Sequence, residues 1–257
     1  MSSGEIRVIP VPFSDEVCPG DNLTEKLRAA LRHQKLRLQA GDVLVIKHKV
    51  VSKAERQIVQ LSDVNPSRAA KNWAYKSETD ARLVELVLRE SKRVVRKKML
   101  AKKRGVLITE TRHGLVCANS GVDASNVDGG ERAVLLPRNP DRSAARLRSQ
   151  IKKSLGVSVA VIISDSFGRP WREGLTEVAI GVAGMKPLLD YRGQRDPHGY
   201  QLRSSYEAVA DELACAAGLV CGKLDRTPVC IVRGFKYHRG QGSARDLIRA
   251  KESDLFR

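Results

Sequence analysis

Two spacings of apolar residues recur along the chain, and they predict a mixture of strands and helices. Compact, largely β-branched runs predict strands at 5–11, 42–53, 105–111, 115–118, 157–163, 176–183 and 228–232. Apolar residues three or four positions apart predict helices at 21–33, 79–90, 142–155 and 205–219, and a helical region that starts at 65–67. Strands and helices do not alternate strictly, which favours a mixed α/β or α+β arrangement over a simple doubly wound sheet.

Polar residues at the start of two predicted helices indicate where those helices begin. Asp21 is expected to cap the first helix, with Glu25 in its first turn. Asn139, Pro140 and Asp141 are expected to open the helix at 142–155. The pattern contains no internal repeat and no low-complexity linker that would mark a domain boundary.

The strand predicted at 157–163 leads directly into Asp165 and Ser166. The run is apolar at almost every position, which is typical of a strand buried on both faces, and Asp165 is expected where that strand ends. Open sheets bind ligands at this edge, and an adjacent carboxylate and hydroxyl suit Mg²⁺ or Mn²⁺ that carries a phosphate. An Asp that caps a turn before Gly168 and Pro170 explains the same residues, so both interpretations remain open.

A second group of turn-forming acids lies at 119–130, after the short strand predicted at 115–118. It contains Asp123, Asn126 and Asp128. These residue types are ordinary turn formers, and on their own they do not indicate a ligand. Two Asp-bearing turns that each follow an apolar strand are nevertheless the minimum for a divalent ion that bridges phosphates.

Basic residues accompany the strand predicted at 42–53. Lys47, Lys49 and Lys53 would share one face of that strand, and His48 would lie on the other. A face of three ammonium groups could meet a phosphate.

Further basic residues follow Asp165. Arg169 and Arg172 could bind a carboxylate or a phosphate with two hydrogen bonds, or could form structural ion pairs. Trp171 could stack on a planar ring, although packing against the protein is the favoured interpretation. We take Arg169, Trp171 and Arg172 as candidate substrate contacts.

Neither standard phosphate-binding loop is present, because the chain contains no GxxxxGK[ST] motif and no GxGxxG after a strand. A nucleotide would therefore be held in another way. Two short segments, 14–17 and 240–243, offer backbone amides that could cradle an anion.

The chain is strongly basic. It contains 46 Lys and Arg and 29 Asp and Glu, which gives a formal charge of +17. Such an excess indicates anionic partners or strong self-repulsion. Much of it lies at 89–104, where a solvated helix face is the expected structure. A nucleic-acid-binding module is the rival interpretation of this segment, but only 4% of the chain is aromatic, and base-stacking residues are missing from the segment.

Cysteine content and hydropathy indicate a cytoplasmic protein. The five cysteines are scattered without zinc-ligand spacing, so we expect reduced thiols that are mostly packed. The first residues match neither a signal nor a transit peptide, and no apolar run is long enough for a membrane span.

Six segments occur in an order that closely resembles the coenzyme F420-0:L-glutamate ligase family. They are VVSKAE, ANSGVDASNVD, ISDSFGRPWREG, VAIGVAG, ADELA and IVRG, at 50–55, 118–128, 163–174, 178–184, 210–214 and 231–234. The similarity extends over nearly the whole chain, and the pair GVDASN and SDSFGRPWR is the most specific part of it.

The resemblance implies a GTP-dependent ligase that joins L-glutamate to the lactyl carboxylate of F420-0 and often adds further γ-linked glutamates. It implies an acyl-phosphate intermediate and two divalent ions, Mg²⁺ or Mn²⁺, with K⁺ as a further candidate ion. The anionic partners GTP, glutamate and F420-0 would account for the basic excess without a nucleic acid or a membrane. A ligase of the same family with another acceptor carboxylate is the closest alternative.

The resemblance also assigns residues position by position. The implied metal ligands are Asp123, Asp165 and Ser166. The implied GTP contacts are Ser14, Asp15, Glu16, Val17, His48, Lys49, Lys53, Asn126, Cys221, Gly222 and Lys223. Archaeal members that resemble this chain have an acidic metal ligand where Lys223 stands, and a protonated lysine cannot replace it as a ligand.

For the fold, the resemblance implies a mixed α+β arrangement of two interwoven domains and a homodimer. We expect residues 1–257 to form a single ligase unit whose subdomain boundaries the sequence does not reveal. The reductase-like domain that is fused to a similar ligase in mycobacteria is not expected in this chain.

Overall fold

The computed structural model describes residues 4–100, 105–124 and 130–254, and its largest element is a five-stranded sheet. The strands of that sheet follow the order β1-β12-β2-β8-β9. Only β2 and β8 run parallel, and the other neighbours are antiparallel, so the sheet is mixed as predicted. Three smaller sheets contain β4-β5-β6, β3-β7 and β10-β11. The α+β class predicted from the sequence is confirmed.

The strands are β1 (Arg7–Val11), β2 (Val43–Lys47), β3 (Ile58–Gln60), β4 (Ser91–Met99), β5 (Gly105–Thr111), β6 (Val116–Ala118), β7 (Arg132–Val134), β8 (Ala160–Arg169), β9 (Arg172–Ala183), β10 (Leu189–Asp190), β11 (Tyr206–Glu207) and β12 (Val229–Arg233). The helices are α1 (Leu23–His33), α2 (His48–Ala54), α3 (Arg68–Ser77), α4 (Ala81–Glu90), α5 (Pro140–Leu155) and α6 (Val209–Cys221). Short 3₁₀ helices lie at Leu61–Asp63, Asn119–Gly121, Ala244–Leu247 and Lys251–Ser253.

Helices cover both faces of the five-stranded sheet. Val161 and Ile163 of β8 face a core that includes α1 and α5, whereas Ala160 and Ile162 face a second core that includes α6. Alternate residues of a strand point to opposite faces, so both sets are apolar only if both faces are buried. This explains the uninterrupted apolar run at the start of β8.

The smaller sheet β4-β5-β6 packs with α3 and α4 around its own apolar cluster, which contains Leu107 of β5, Ala70 of α3 and Val84 of α4. The β6 strand also contacts β8 of the large sheet. This contact brings the second sheet toward the edge at which β8 leaves its parallel partner.

The structure corrects the strand predicted at 42–53. The β2 strand ends at Lys47, and α2 follows immediately. Pairing with β8 and β12 stops at the sheet edge, so the chain beyond Lys47 has no strand partner, and Val51 packs into the core from a helix instead. Lys49 and Lys53 still share a side, one helical turn apart, but Lys47 does not belong to that face.

The helix expected in the basic segment 89–104 is also wrong, because residues 91–99 form the strand β4. Backbone pairing with β5, interrupted by register shifts, outweighs the local preference of Lys and Arg for helix. Most side chains of β4 are exposed, and charged side chains on an edge strand discourage pairing with another chain. Residues 101–104 lie outside the described residues.

Smaller corrections concern ends of elements. Asn22, not Asp21, caps α1, because the Asn22 Oδ1 accepts from the amides of Thr24 and Glu25 at 3.0 and 3.3 Å. The β8 strand continues past Asp165 to Arg169 as one arm of a hairpin with β9, although its fully buried part ends at Ser164. The last long helix begins at residue 209 instead of 205.

The five cysteines are free thiols, and three of them are buried, in agreement with the sequence prediction. Over the described ranges, no helix combines the length and the apolar character that crossing a membrane requires.

Gly181 gives a test of how α5 docks on the sheet. A Cβ atom at this position in β9 would lie 2.5 Å from the backbone carbonyl of Pro140, the first residue of α5. Gly181→Ala should therefore lower the free energy of unfolding by about 1–3 kcal/mol, because backbone must shift to admit the methyl group. Urea denaturation measures this loss.

Gly168→Ala is the matched control. Gly168 lies in the same hairpin, and its added Cβ would meet nothing closer than Leu175 at 3.9 Å. This variant should be neutral or slightly more stable. Equal stability of the two variants would show that the contact between Gly181 and Pro140 is not tight in solution.

Candidate functional site

A cleft of about 490 Å³ opens at the edge of the large sheet where β2 and β8 stop pairing. Its walls come from residues 13–17, the end of β2 with α2, the middle of β8 and the segment 221–228. The sequence-predicted residues that line it are Asp15, Glu16, Val17, His48, Lys49, Lys53, Asp165, Ser166, Cys221, Gly222 and Lys223. The structure thus brings together eleven candidates from four separate parts of the chain.

Parallel pairing of β2 with β8 positions the first pair of side chains. Lys47 is in register with Ser164, so the next residues, His48 at the start of α2 and Asp165 within β8, lie side by side. His48 Nε2 lies 3.2 Å from Asp165 Oδ1, which also accepts a hydrogen bond from the amide of Ser166 at 2.7 Å. The buried Nδ1 of His48 has no hydrogen-bond partner among the described residues.

A buried carboxylate that contacts the cleft residues Ser164 and Ser166 was missed by the sequence analysis. Glu177 of β9 lies opposite Ser166 of β8, and its side chain is only 7% exposed. It accepts hydrogen bonds from Ser166 Oγ at 2.6 Å and Ser164 Oγ at 3.0 Å, and Lys47 Nζ lies 2.6 Å away. The available signal was a lone acid at the start of the otherwise apolar run that ends at Ala183.

Lys223 joins the same network from the segment after α6. Its Nζ donates to Ser166 Oγ and lies 3.7 Å from Glu177 Oε1. Gly222, which precedes it, has a φ of +53°, a conformation that glycine adopts without strain. The turn at Gly222 therefore directs the ammonium group of Lys223 toward the carboxylate of Glu177.

The electrostatic balance around Glu177 favours its ionised form. Burial raises the pKa of this carboxyl, but hydrogen bonds from Lys47, Ser166 and Ser164 and the charge of Lys47 outweigh burial and hold the pKa below its ordinary value. Two ammonium groups thus lie around one buried negative charge.

Two further ion pairs involve α2. Lys53 Nζ lies 2.5 Å from Glu16 Oε1, and this hydrogen bond, followed by the charge of Lys53, lowers the pKa of Glu16. Lys49 Nζ lies 2.6 Å from Asp123 Oδ2. Asp123 exchanges backbone hydrogen bonds with Val134, at 3.0 and 2.8 Å, which fixes the turn that carries it.

Some predicted residues lie elsewhere. Asp123 contacts Lys49 but does not itself line the cleft. Ser14 does not line the cleft either, and its hydroxyl donates a hydrogen bond to the carboxylate of the neighbouring Asp15. Asn126 and Asp128 lie outside the described residues. The second Asp-bearing turn is therefore represented in the structure by Asp123.

The candidate substrate contacts Arg169, Trp171 and Arg172 occupy the tip of the β8–β9 hairpin, outside the cleft. Arg169 lies four residues beyond Asp165, about 13 Å along an extended strand. Trp171 is 82% exposed and has a φ of +56°, so the expectation that it packs against the protein is wrong. The tight turn at the tip turns this side chain away from the core.

The donor set at the cleft suits a hard divalent cation. The carboxylates of Asp165 and Glu177 and the hydroxyl of Ser166 are oxygen ligands of the kind that Mg²⁺ and Mn²⁺ accept. Within the described part of the chain, however, no three His, Cys, Asp or Glu side chains are grouped as a ready metal site. In this arrangement Lys47, Lys49 and Lys223 provide the positive charge next to the carboxylates.

A mixed sheet that gathers lysines and carboxylates in a cleft at one edge defines a class of site suited to phosphate-bearing substrates. The sequence model of the F420-0:Gamma-glutamyl ligase family matches residues 14–234 of the chain.

Individual relatives agree with the family match. The chain is 44% identical over 257 residues to the coenzyme F420:L-glutamate ligase of Methanopyrus kandleri, covering 98% of each chain. It is 42% identical to the protein of the same name from Methanothermobacter thermautotrophicus, covering 98% of this chain and 99% of the relative. The corresponding Methanocaldococcus jannaschii protein is 43% identical and covers 86% of each chain. The chain belongs to the F420-0:gamma-glutamyl ligase family.

Glu177 yields a pH-dependent prediction. Its pKa in the folded protein is lower than its ordinary value of 4.5, so its ionised form stabilises the fold above that pH, and this contribution is lost as the pH falls through the folded pKa. Glu177→Gln should lower the free energy of unfolding by about 1–3 kcal/mol at pH 7. The difference from wild type should shrink at acid pH in urea titrations.

Glu173→Gln is the control, because Glu173 is an exposed acid on the same strand. It should leave the pH dependence of stability unchanged. A constant gap between Glu177→Gln and wild type from neutral to acid pH would contradict the assigned charge state of Glu177.

Proposed function

We propose that the protein is a GTP-dependent ligase that joins the amino group of L-glutamate to a carboxylate of coenzyme F420-0. Membership of the family and the relatives named coenzyme F420:L-glutamate ligase support the reaction. The observation that carries the proposal is the cleft, which gathers eleven residues implied by the resemblance into one cavity.

The lysines of the cleft suit the phosphates of GTP. Lys49 and Lys53 lie one turn apart on α2, and Lys223 enters from the segment after α6. Each ammonium group presents compact positive charge, and each is currently balanced by a side-chain contact that a phosphate could replace. The side chain of Lys53 is only 13% exposed, so a phosphate bound there would be partly shielded from water.

A divalent cation would be held by Asp165, Ser166 and Asp123. When bound, it would neutralise charge on the phosphates and lower the cost of charge build-up during phosphoryl transfer. Glu177 keeps the Ser166 hydroxyl oriented by accepting its hydrogen bond, and Lys47 in turn holds Glu177 ionised. Mg²⁺ and Mn²⁺ are both compatible with these oxygen donors.

The proposed amide synthesis has two steps. The acceptor carboxylate attacks the γ-phosphorus of GTP, which breaks the bond to GDP and forms an acyl phosphate. The glutamate amine then attacks the acyl carbon, loses a proton and displaces inorganic phosphate. The cleft lysines bind and orient the anionic groups, and their charge opposes the repulsion between the carboxylate and the triphosphate.

Lys223 stands where the resemblance implies an acidic metal ligand. Its hydrogen bond to Ser166 and its distance of 3.7 Å to Glu177 support a role for its ammonium charge beside the metal ligands. We infer that it replaces part of the charge of a second ion.

The direct test is incubation of the protein with GTP, Mn²⁺, L-glutamate and F420-0, followed by mass spectrometry. A product heavier than F420-0 by one or more glutamyl units, formed together with GDP and phosphate, is expected. Product formation without GTP consumption would contradict the proposed mechanism. Product only with another acceptor carboxylate would support the alternative ligase.

Asp165→Asn should abolish ligation while the protein remains folded. Asp165 lies just beyond the fully buried part of β8, so loss of its charge removes a cation ligand without opening the core. We expect at least about a hundredfold loss of turnover, in line with removal of a ligand that stabilises transferring charge. The far-ultraviolet circular dichroism spectrum should match that of wild type.

Asp63→Asn serves as the control, since Asp63 is an exposed carboxylate in a 3₁₀ helix that does not line the cleft. Its turnover should equal that of wild type. Full activity of Asp165→Asn would remove Asp165 from the proposed metal site.

Lys223→Glu should change the metal dependence of the reaction. A carboxylate at this position adds an oxygen ligand next to Ser166 and Glu177 and removes the competing ammonium group. Titration with Mn²⁺, followed by calorimetry, should give higher stoichiometry or tighter binding than in wild type. An unchanged Mn²⁺ isotherm would show that Lys223 lies outside the metal site.

A further inference from the structure

A second cavity lies away from the cleft, at the other end of β8. Its volume is about 780 Å³, compared with 490 Å³ for the cleft. It is bounded by the first turns of α5, the end of β9 and the segment 239–245. Val182 lies on the wall of this cavity and pairs with Ile162 of β8. Ile162 precedes Asp165 of the cleft by three residues, which is about 10 Å along the strand.

Arginine side chains dominate this cavity. Arg142, Arg148, Arg239 and Arg245 line it together with a single carboxylate, Asp141, so its wall carries a formal charge of +3. Arg142, Arg239 and Arg245 are exposed, and within the described ranges none of them forms a salt bridge. Their charge is therefore not neutralised by the protein around them.

The carboxylate of Asp141 is fully engaged with the chain itself. Its Oδ1 accepts hydrogen bonds from the amides of Val182 and Ala244, at 2.8 and 2.9 Å, and its Oδ2 accepts from Ser243 Oγ at 2.5 Å. These bonds fasten the segment after Gly242 to β9 and to the start of α5. Asp141 thus builds the cavity wall and does not pair with the arginines.

The segment that closes the cavity is tightly packed. A Cβ atom on Gly242 would collide with the carbonyl oxygen of Met185, and one on Gly184 would collide with Arg148 Nε. Arg148 Nε also donates to the carbonyl of Val159 at 2.9 Å, which holds its guanidinium in place. The glycines thus allow the backbone and an anchored arginine to approach each other closely.

We propose that this cavity is a second binding site, for a small polyanion that carries two or more carboxylate or phosphate groups. Guanidinium groups match both anions with paired hydrogen bonds, and several of them around one concave wall favour a ligand with several negative groups. The volume lies in the range of small-molecule sites. The site lies at the opposite end of β8 from the cleft and does not depend on the function proposed for the cleft.

The test measures binding of two probes to the full chain, tri-γ-L-glutamate and tripolyphosphate, by calorimetry at low ionic strength. A Lys49→Gln/Lys53→Gln background weakens phosphate binding in the cleft, so that binding in the cavity gives most of the signal. Adding Arg142→Gln and Arg245→Gln should weaken binding at least about tenfold, because two charge-assisted contacts are lost. Tighter binding of the glutamate probe would identify a carboxylate ligand, and tighter binding of tripolyphosphate a phosphate ligand.

The matched control adds Arg7→Gln and Arg68→Gln to the same background. Both arginines are exposed and lie outside the cavity. Replacing them removes the same net charge as replacing Arg142 and Arg245. Their loss should weaken binding less than about threefold, since only screened long-range attraction changes. Equal weakening in the two quadruple variants, or no saturable binding of either probe to the Lys49→Gln/Lys53→Gln protein, would overturn the proposal.

Discussion

The parallel pairing of β2 with β8 is the constraint on which the arrangement of the candidate site depends. Both strands reach the same sheet edge, and their register places Lys47 beside Ser164. Beyond that point the two chains diverge, because β2 turns into α2 while β8 continues into the hairpin with β9. The divergence opens a cleft that has a helix on one side and a strand on the other.

Glu177 connects this geometry to the electrostatics. A carboxylate that is 7% exposed requires partners, and it receives them from β2, from β8 and from the segment after α6. Removing any one element would leave charge without compensation in a poorly solvated place, which is costly. The same contacts that stabilise the buried acid also fix the hydroxyl of Ser166 and the ammonium group of Lys47, so stability and site geometry share one network.

Local sequence predicted the parts of the site that follow one another along the chain, and it failed where distant register decides. The apolar run before Asp165 and the turn at Asp123 were visible because strand ends and turns have local signals. The role of Glu177 was not visible in the sequence, because its proximity to Ser166 comes from β8–β9 pairing across a hairpin. The helix α2 was missed for a related reason: Val50 and Val51 look like strand residues, yet the sheet ends before them. The basic strand β4 is formed by pairing with β5 against its own helix preference.

Charge is distributed in two different ways at the two ends of β8. In the cleft, Lys47, Lys49 and Lys53 each have a carboxylate within 2.6 Å, so a bound anion must compete with an existing partner. In the cavity near α5, three exposed arginines have no salt bridge within the described residues, and the one acid there is bonded to the backbone. Pre-paired lysines can exchange partners when an anionic ligand enters, which suits a site where charge moves during a reaction. Unpaired arginines held on a packed wall suit retention of an anion whose charge does not change. The +17 excess of the chain therefore includes at least two sets of cations, one paired with carboxylates and one without salt bridges among the described residues.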